Sequence, residues 1–225
     1  MAVAARIVEM DRCSSGVVER DRGFTLVELL VVIAIIGVLA GILTPSLIIA
    51  RKRSAMNNAR QEIQRLTAAL ESYQAEHGDY PPTDMEEEYD AAGNGINEGI
   101  ESLVAHLAAR GLGGPFYEFK EDALENLDGD ALLDATLLAR LDWFFGDSAL
   151  REIVDPWGTP YIYLHNRDYE RAFTVLDRGG KKATAQAGRS EKIATFHSPT
   201  TYQIWSAGPD LENENGDGDD IGSWD

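Results

Sequence analysis

The chain has 225 residues, enough for one sizeable domain with extensions. Its 38 acidic and 20 basic side chains give a formal net charge of −18, which repels phosphate backbones and argues against nucleic-acid binding. The single cysteine, Cys13, excludes an intrachain disulfide and a cysteine-based zinc site.

Residues 1–23 carry equal numbers of basic and acidic side chains and lack the apolar run of an ordinary secretory signal. Met10 is an alternative start to Met1. Residues 24–43 then contain a single charged side chain, Glu28. A helix of this length spans about 30 Å, the thickness of the hydrocarbon core of a bilayer. We therefore predict a transmembrane helix over residues 24–45.

Glu28 is unusual in this setting, because a carboxylate in a membrane helix costs up to a few kcal/mol and normally marks a function or a partner. The alternative is that its side chain only reaches back to the membrane surface.

The segment Arg22-Gly-Phe-Thr-Leu-Val-Glu28 resembles the class III signal of type IV prepilins and type II secretion pseudopilins. The resemblance implies that a prepilin peptidase cuts after Gly23, so that residues 1–23 are a leader, and methylates Phe24. It also implies that Glu28 pairs with the N-terminal amine of a neighbouring subunit. An ammonium partner would offset the cost of a carboxylate in a low-dielectric filament core. Pro45 stands where the family has a helix-bending proline.

Lysines and arginines flank the apolar segment on both sides and do not determine its orientation. The family resemblance implies a single-pass protein of the inner membrane, with the N-terminus in the cytoplasm and the C-terminal domain in the periplasm.

Helical spacing continues through residues 46–77. Apolar residues recur every three or four positions, at Ala59, Ile63, Leu66, Leu70 and Tyr73. We expect this stripe to pack on the domain of the same chain. Gly78 suits a left-handed helix cap, and the prolines that follow prevent continuation.

Residues 78–154 form a variable region. The acidic stretch 83–98 predicts a solvated loop, and residues 99–110 predict a short helix that ends before Phe116. Both pieces resemble the corresponding part of the major, G-type pseudopilins. Residues 118–150 have no counterpart there, and their apolar side chains predict one or two extra helices. They are either structural padding or a contact surface particular to this lineage.

Residues 155–225 predict a small antiparallel sheet. Asp155-Pro-Trp-Gly-Thr-Pro-Tyr161 sets a turn before a strand at 161–164 and is a hallmark of G-type pseudopilins. We expect a structural role for this turn, with Trp157 filling the core and Asp155 not catalytic. Further strands are predicted at 172–176 and 201–206, with a weaker candidate at 193–196. The expected fold is α+β and type IV pilin-like, a long N-terminal helix packed on this sheet.

The C-terminal stretch 206–225 crowds carboxylates among glycines, which suits the oxygen ligands that Ca²⁺ requires. An EF-hand is excluded, because Leu211 would occupy the first ligand position. The resemblance implies instead the calcium loop of G-type pseudopilins. Its expected ligands are Asp210, Asp219, Asp220 and the backbone carbonyl near Ala207, with Asp217 as an additional candidate. A disordered acidic tail is the alternative, although the lack of a disulfide favours a metal.

The sequence therefore predicts a structural subunit of a type II secretion pseudopilus that polymerises into a helical filament. The implied partners are prepilin peptidase, the minor pseudopilins, and an inner-membrane assembly platform with its ATPase. A type IV pilin or related surface-filament subunit is the main alternative. A membrane-anchored enzyme is a second one, but the chain contains no GxSxG or HExxH motif, and we expect no catalysis.

Overall fold

The computed structural model describes residues 24–85, 93–142, 145–177, 179–190, 192 and 194–225. The chain divides into two compact units, Met1–Leu47 and Ile48–Asp225. The leader predicted over residues 1–23, with its cleavage residue Gly23, lies outside the described residues.

A single helix, α1 (Leu26–His77), carries the apolar N-terminal segment, as predicted. Among the described residues, α1 is the one helix that is long and apolar enough to cross a membrane. Its most apolar stretch is fully exposed. Pro45 lies inside this helix. Gly78 follows with a φ of 82°, a left-handed conformation that glycine adopts without steric cost, and the helix ends there.

The second half of α1 packs into the core of the C-terminal unit. The whole predicted stripe is buried there, and Ala69 is buried with it. The stripe joins one hydrophobic cluster with helix α2 (Glu98–Ala108) and with Tyr163 and Ile204 of the sheet. The expectation that the stripe packs on its own chain is confirmed.

Helix α2 is buried along almost its whole length. The prediction that residues 83–98 form a solvated loop is wrong for Thr83, Asp84 and Asn97, which are buried, whereas residues 93–95 are exposed as predicted. Residues far away in the sequence provide hydrogen-bond and ion-pair partners for the polar groups of these buried side chains. The hydroxyl of Thr83 accepts a hydrogen bond from the backbone N–H of His165 (2.9 Å), and Asp84 pairs with Arg171 (2.9 Å).

The strands of the described residues are β1 (Leu124–Glu125), β2 (Glu152–Ile153), β3 (Ile162–His165), β4 (Phe173–Leu176), β5 (Lys182–Ala185), β6 (Tyr202–Ser206) and β7 (Ile221–Gly222). They form three small antiparallel sheets, of which the largest has the order β3–β6–β7. Strand β1 pairs with β2, and β4 pairs with β5.

Three predicted strands are thus confirmed, as β3, β4 and β6, each within one residue of its expected ends. The weaker candidate at 193–196 forms no strand at its described positions 194–196, where Phe196 makes only an isolated bridge with Arg189. Trp157 is half-buried and packs against the edge of the core cluster. With α1 packed on the sheet, the fold is the expected α+β, type IV pilin-like one.

Within its described residues, the segment 118–150 contributes one short α-helix, α3 (Ala135–Leu141), and a single 3-10 turn at Glu121–Ala123, in agreement with the one or two extra helices predicted. The carboxylate of Asp134 caps it by accepting hydrogen bonds from the N–H groups of Thr136 (2.7 Å) and Leu137 (3.1 Å). Four leucines of the segment are buried in the core, Leu132, Leu137, Leu141 and Leu150. The segment therefore enlarges the core of the C-terminal unit.

Candidate functional site

The N-terminal turn of α1 presents Phe24 and Glu28 at the surface of the chain. The carboxylate of Glu28 accepts hydrogen bonds from the N–H (2.9 Å) and the hydroxyl (2.8 Å) of Thr25. The Thr25 hydroxyl in turn accepts one from the N–H of Glu28 (3.2 Å). This reciprocal arrangement is a capping box, which satisfies donors at the start of the helix. Because Glu28 stays exposed, its carboxylate remains accessible to another molecule.

Apolar side chains cover this part of the helix, and Glu28 is the only charged residue between Phe24 and Ala50. The large apolar side chains between Phe24 and Ile49 are solvent-exposed, from 42% at Val32 to 78% at Leu26. Monomeric soluble proteins rarely expose a contiguous apolar surface of this extent, so the surface marks a membrane or a protein contact.

The second candidate region is the acidic loop 207–220, which joins β6 to β7. Its base is closed by antiparallel pairing of Trp205 with Gly222 and of Ser206 with Ile221. The side chain of Asn213 accepts a hydrogen bond from the Trp205 indole N–H (2.9 Å) and donates one to the carbonyl of Thr184 (3.0 Å). Together these contacts hold the loop against the sheet.

Three carboxylates converge inside this loop. One oxygen from each of Asp210, Glu214 and Asp219 lies within 4.8 Å of the others. The Oδ1 atom of Asp219 is buried and has no hydrogen-bond partner among the described residues. Burial and the neighbouring charge of Asp210 raise the pKa of Asp219. Asp210 and Glu214 are exposed, so water screens part of the repulsion, and a cation among these oxygens would reduce the rest.

Asp220 organises the loop from the inside. Its Oδ2 atom accepts hydrogen bonds from the N–H groups of Glu214 (3.1 Å) and Gly216 (2.7 Å), whereas its Oδ1 atom is buried and makes none with the described residues. Burial raises the pKa of Asp220 to about 7. Asp220 therefore both shapes the loop and leaves one oxygen for a ligand.

The remaining predicted ligands occupy different positions. Ala207 is buried and immediately precedes the 3-10 turn Gly208–Asp210. Asp217 is exposed and lies outside the cluster of three carboxylates found among the described residues. Glu214 belongs to that cluster but was not predicted, because only the folded loop brings it beside Asp219.

The turn at Asp155 contacts Ser206, the residue that precedes this loop. Asp155 is buried, and its Oδ2 atom accepts hydrogen bonds from the hydroxyls of Thr159 (2.6 Å) and Ser206 (2.5 Å). Its Oδ1 atom accepts from the backbone N–H groups of Trp157 (2.9 Å) and Thr159 (3.0 Å). These partners occupy the carboxylate fully and fix Ser206, the last residue before the acidic loop.

Comparison with known proteins identifies the family of the chain. Residues 20–44 match the prokaryotic N-terminal methylation motif. The type II secretion system core protein G of Escherichia coli K12 is 37% identical over 161 residues, which cover 72% of this chain and 83% of the relative. The protein of the same name from Pseudomonas aeruginosa is 28% identical over 145 residues, covering 64% and 74%.

The chain is also similar to a pilin over a shorter stretch. The type IV major pilin of Myxococcus xanthus is 43% identical over 61 residues, 27% of this chain and 28% of the relative. No solved structure is significantly similar to the chain. Because the likeness to core protein G extends over most of both chains, the chain belongs to the type II secretion system core protein G family, the major pseudopilins.

Proposed function

We propose that this chain forms the shaft of a type II secretion pseudopilus, a helical filament whose growth from the inner membrane drives protein export. The observation that carries the proposal is the exposed apolar surface of α1 with a single accessible carboxylate. Identical helices packed side by side would cover this surface. Its chemistry is suited to assembly, and the proposed role is structural and not catalytic.

Processing would prepare the helix for assembly. Prepilin peptidase would cut between Gly23 and Phe24 and methylate the new terminal amine. The charged amine of one subunit would then pair with Glu28 of its neighbour. Burial of an isolated carboxylate in the apolar core of a filament is costly, whereas a carboxylate paired with an ammonium group is tolerated and fixes the axial register.

The proposed location follows from the same helix. Before assembly, α1 would cross the inner membrane once, with the C-terminal unit in the periplasm. The partners would be other copies of this chain, the minor pseudopilins, and the inner-membrane platform with its ATPase.

The acidic loop is proposed to bind Ca²⁺. Ca²⁺ takes roughly six to eight oxygen ligands, and the donors here are carboxylate oxygens, two of which, on Asp219 and Asp220, are buried and make no hydrogen bond with the described residues. Asp210, Glu214 and Asp219 would supply side-chain ligands, with Asp220 and the backbone carbonyl near Ala207 completing the set. Asp217 is a weaker candidate because it is exposed outside the cluster. Bound calcium would close the loop in a region where the chain has no disulfide.

The test combines mass spectrometry of the native protein with electron microscopy of cells that overproduce it. We expect a mature protein that begins at methylated Phe24, and short periplasmic filaments that disappear in a Glu28→Ala variant. Long surface fibres with secretion unaffected would favour a type IV pilin instead. A native protein that retains residues 1–23 would contradict the proposal.

A further inference from the structure

A second group of acidic side chains lies between α2 and the segment that carries β1 and β2. One carboxylate oxygen from each of Glu101, Asp128 and Glu152 lies within 4.8 Å of the others. Oxygens on opposite sides of a bound Ca²⁺ ion are about 4.6–5.2 Å apart, because each bond is about 2.3–2.6 Å long. The three oxygens therefore have the spacing of ligands around one such ion.

Glu101 points to a ligand independently of this spacing. It lies on α2 and is only 2% exposed. Its Oε1 atom, buried in the interior, makes no hydrogen bond with the described residues. A buried carboxylate oxygen without a donor or a cation is destabilising, so an isolated glutamate would not be expected here.

A tight turn carries Asp128 and a further carboxylate beside it, Asp130. Asn126 shapes it, since its side chain accepts a hydrogen bond from the N–H of Gly129 (2.7 Å) and donates one to the carbonyl of Asp130 (2.7 Å). Gly129 adopts a φ of 78° at the centre of the turn. The Oδ2 atom of Asp128 and both carboxylate oxygens of Asp130 are buried and have no hydrogen-bond partner among the described residues.

Glu152, on β2, is oriented by neutral groups. Its Oε1 atom accepts a hydrogen bond from the side-chain amide of Asn97 (2.8 Å), and its Oε2 atom accepts one from the N–H of Leu127 (3.1 Å). The side-chain oxygen of Asn97 accepts from the N–H of Leu176 (2.9 Å), which fixes the amide in turn. These contacts hold the carboxylate in position without neutralising its charge.

We propose that Glu101, Asp128, Asp130 and Glu152 bind a hard divalent cation, calcium in the first instance, at a second site separate from the C-terminal loop. The ligands come from α2, from the turn 126–130 and from β2. The bound ion would therefore tie the segment 118–150 to α2. No function was predicted for this segment from the sequence. The ion would act as a cross-link in a unit that has no disulfide.

The charge balance of the cluster agrees with this assignment. Burial raises the pKa of Glu101 to about 11, and the charges of Asp130, Asp128, Glu152 and Glu98 act in the same direction. Burial also raises the pKa of Asp130 and of Glu152 to about 7. A divalent ion among these oxygens would offset the mutual repulsion of the carboxylates, which the hydrogen bonds from neutral groups do not.

The experiment titrates the full-length chain in detergent micelles with CaCl₂ by calorimetry and counts bound calcium by elemental analysis. We expect two ions per wild-type chain, and one in Glu101→Gln and in Asp219→Asn. Asp122→Asn is the matched control, because it removes one acidic charge from an exposed position of the same segment and should leave two ions bound.

The variants separate this site from the acidic loop. An unchanged calcium count in Glu101→Gln would overturn the second site, even if Asp219→Asn lost its ion. Loss of calcium in Glu101→Gln alone would support the second site and contradict calcium in the loop. Glu101→Gln keeps the shape of the side chain, so its calcium-free melting temperature should not fall. If it does fall, Asp128→Asn provides the same test, with loss of one ion expected and an unchanged count overturning the site.

Discussion

Gly208 lies against the main-chain carbonyl of Asp219, so closely that a Cβ atom at position 208 would be 2.4 Å from that oxygen. Gly208 also has a φ of 70°, which side-chain-bearing residues rarely adopt. This contact joins the first turn of the acidic loop to the end of the loop that carries the Asp219 carboxylate. No side chain larger than hydrogen fits there without moving the Asp219 backbone.

Gly208→Ala should therefore lower the stability of the C-terminal unit by about 2–4 kcal/mol, from backbone strain and from the displaced loop. Gly180→Ala is the matched control, because Gly180 has a φ of 78° but open space around its Cβ position. Thermal unfolding followed by tryptophan fluorescence would measure both. Equal losses in the two variants would show that the contact with Asp219 contributes nothing.

Removal of calcium should destabilise the protein through the acidic loop. At a free calcium concentration about 100 times Kd, binding adds about 2.7 kcal/mol to stability, and a chelator should remove that amount. In Asp219→Asn, the part of this stabilisation that comes from calcium bound in the acidic loop should be lost. Asp217→Asn should retain it, since Asp217 is exposed outside the cluster. The melting temperature with and without calcium is the measurement, and an undiminished calcium effect in Asp219→Asn would contradict the ligand assignment.

Asp155→Asn should destabilise the turn beneath the loop. The substitution replaces a buried carboxylate that accepts from two hydroxyls and two backbone N–H groups, and we expect a loss of about 2–4 kcal/mol. Ser206→Ala removes one of those donors and should cost about 1–2 kcal/mol. Asp147→Asn serves as the control, because its exposed pair with Arg151 contributes about 1 kcal/mol or less. Denaturant unfolding of the three variants would rank them, and an Asp155→Asn protein as stable as Asp147→Asn would refute this role.

Glu28→Gln should leave leader removal intact but prevent filament assembly. Loss of one partner from a buried ion pair costs about 3–5 kcal/mol, enough to abolish polymerisation of weakly associating subunits. Thr25→Val tests the alternative that Glu28 only caps its own helix, because it removes the hydroxyl partner of Glu28 within the chain. Electron microscopy should show filaments for Thr25→Val and none for Glu28→Gln. Equal defects in both variants would assign Glu28 to capping.

Helices and strands that are set by the pattern of apolar and turn residues along the chain could be predicted from the sequence. The long helix, its buried stripe and its end at Gly78 follow from apolar periodicity and from the freedom of glycine to adopt positive φ. Strands β3, β4 and β6 follow from apolar and aromatic runs bounded by turn residues. Strand β5 was missed, because Lys182–Ala185 is mostly exposed and lacks the apolar alternation of a half-buried strand.

Partners that are distant in sequence could not be predicted. Asp84 looked like part of a solvated acidic stretch, but it is buried because Arg171 provides its counter-charge. Glu214 required the folded loop to reach Asp219, and Glu101 required three separate segments to meet. Spacing along the chain shows which side chains share a helix face or a strand face, but not which loops fold onto them.

The exposed apolar surface of α1 determines how a subunit can leave the bilayer. None of the described residues shields its apolar side chains, so a solitary subunit moved from a membrane into water would bear the full hydration cost of that surface. In the proposed filament, contacts with lipid are exchanged for contacts with other helices of the same kind. We therefore expect extraction from the membrane and polymerisation to be coupled, without a soluble pool of subunits.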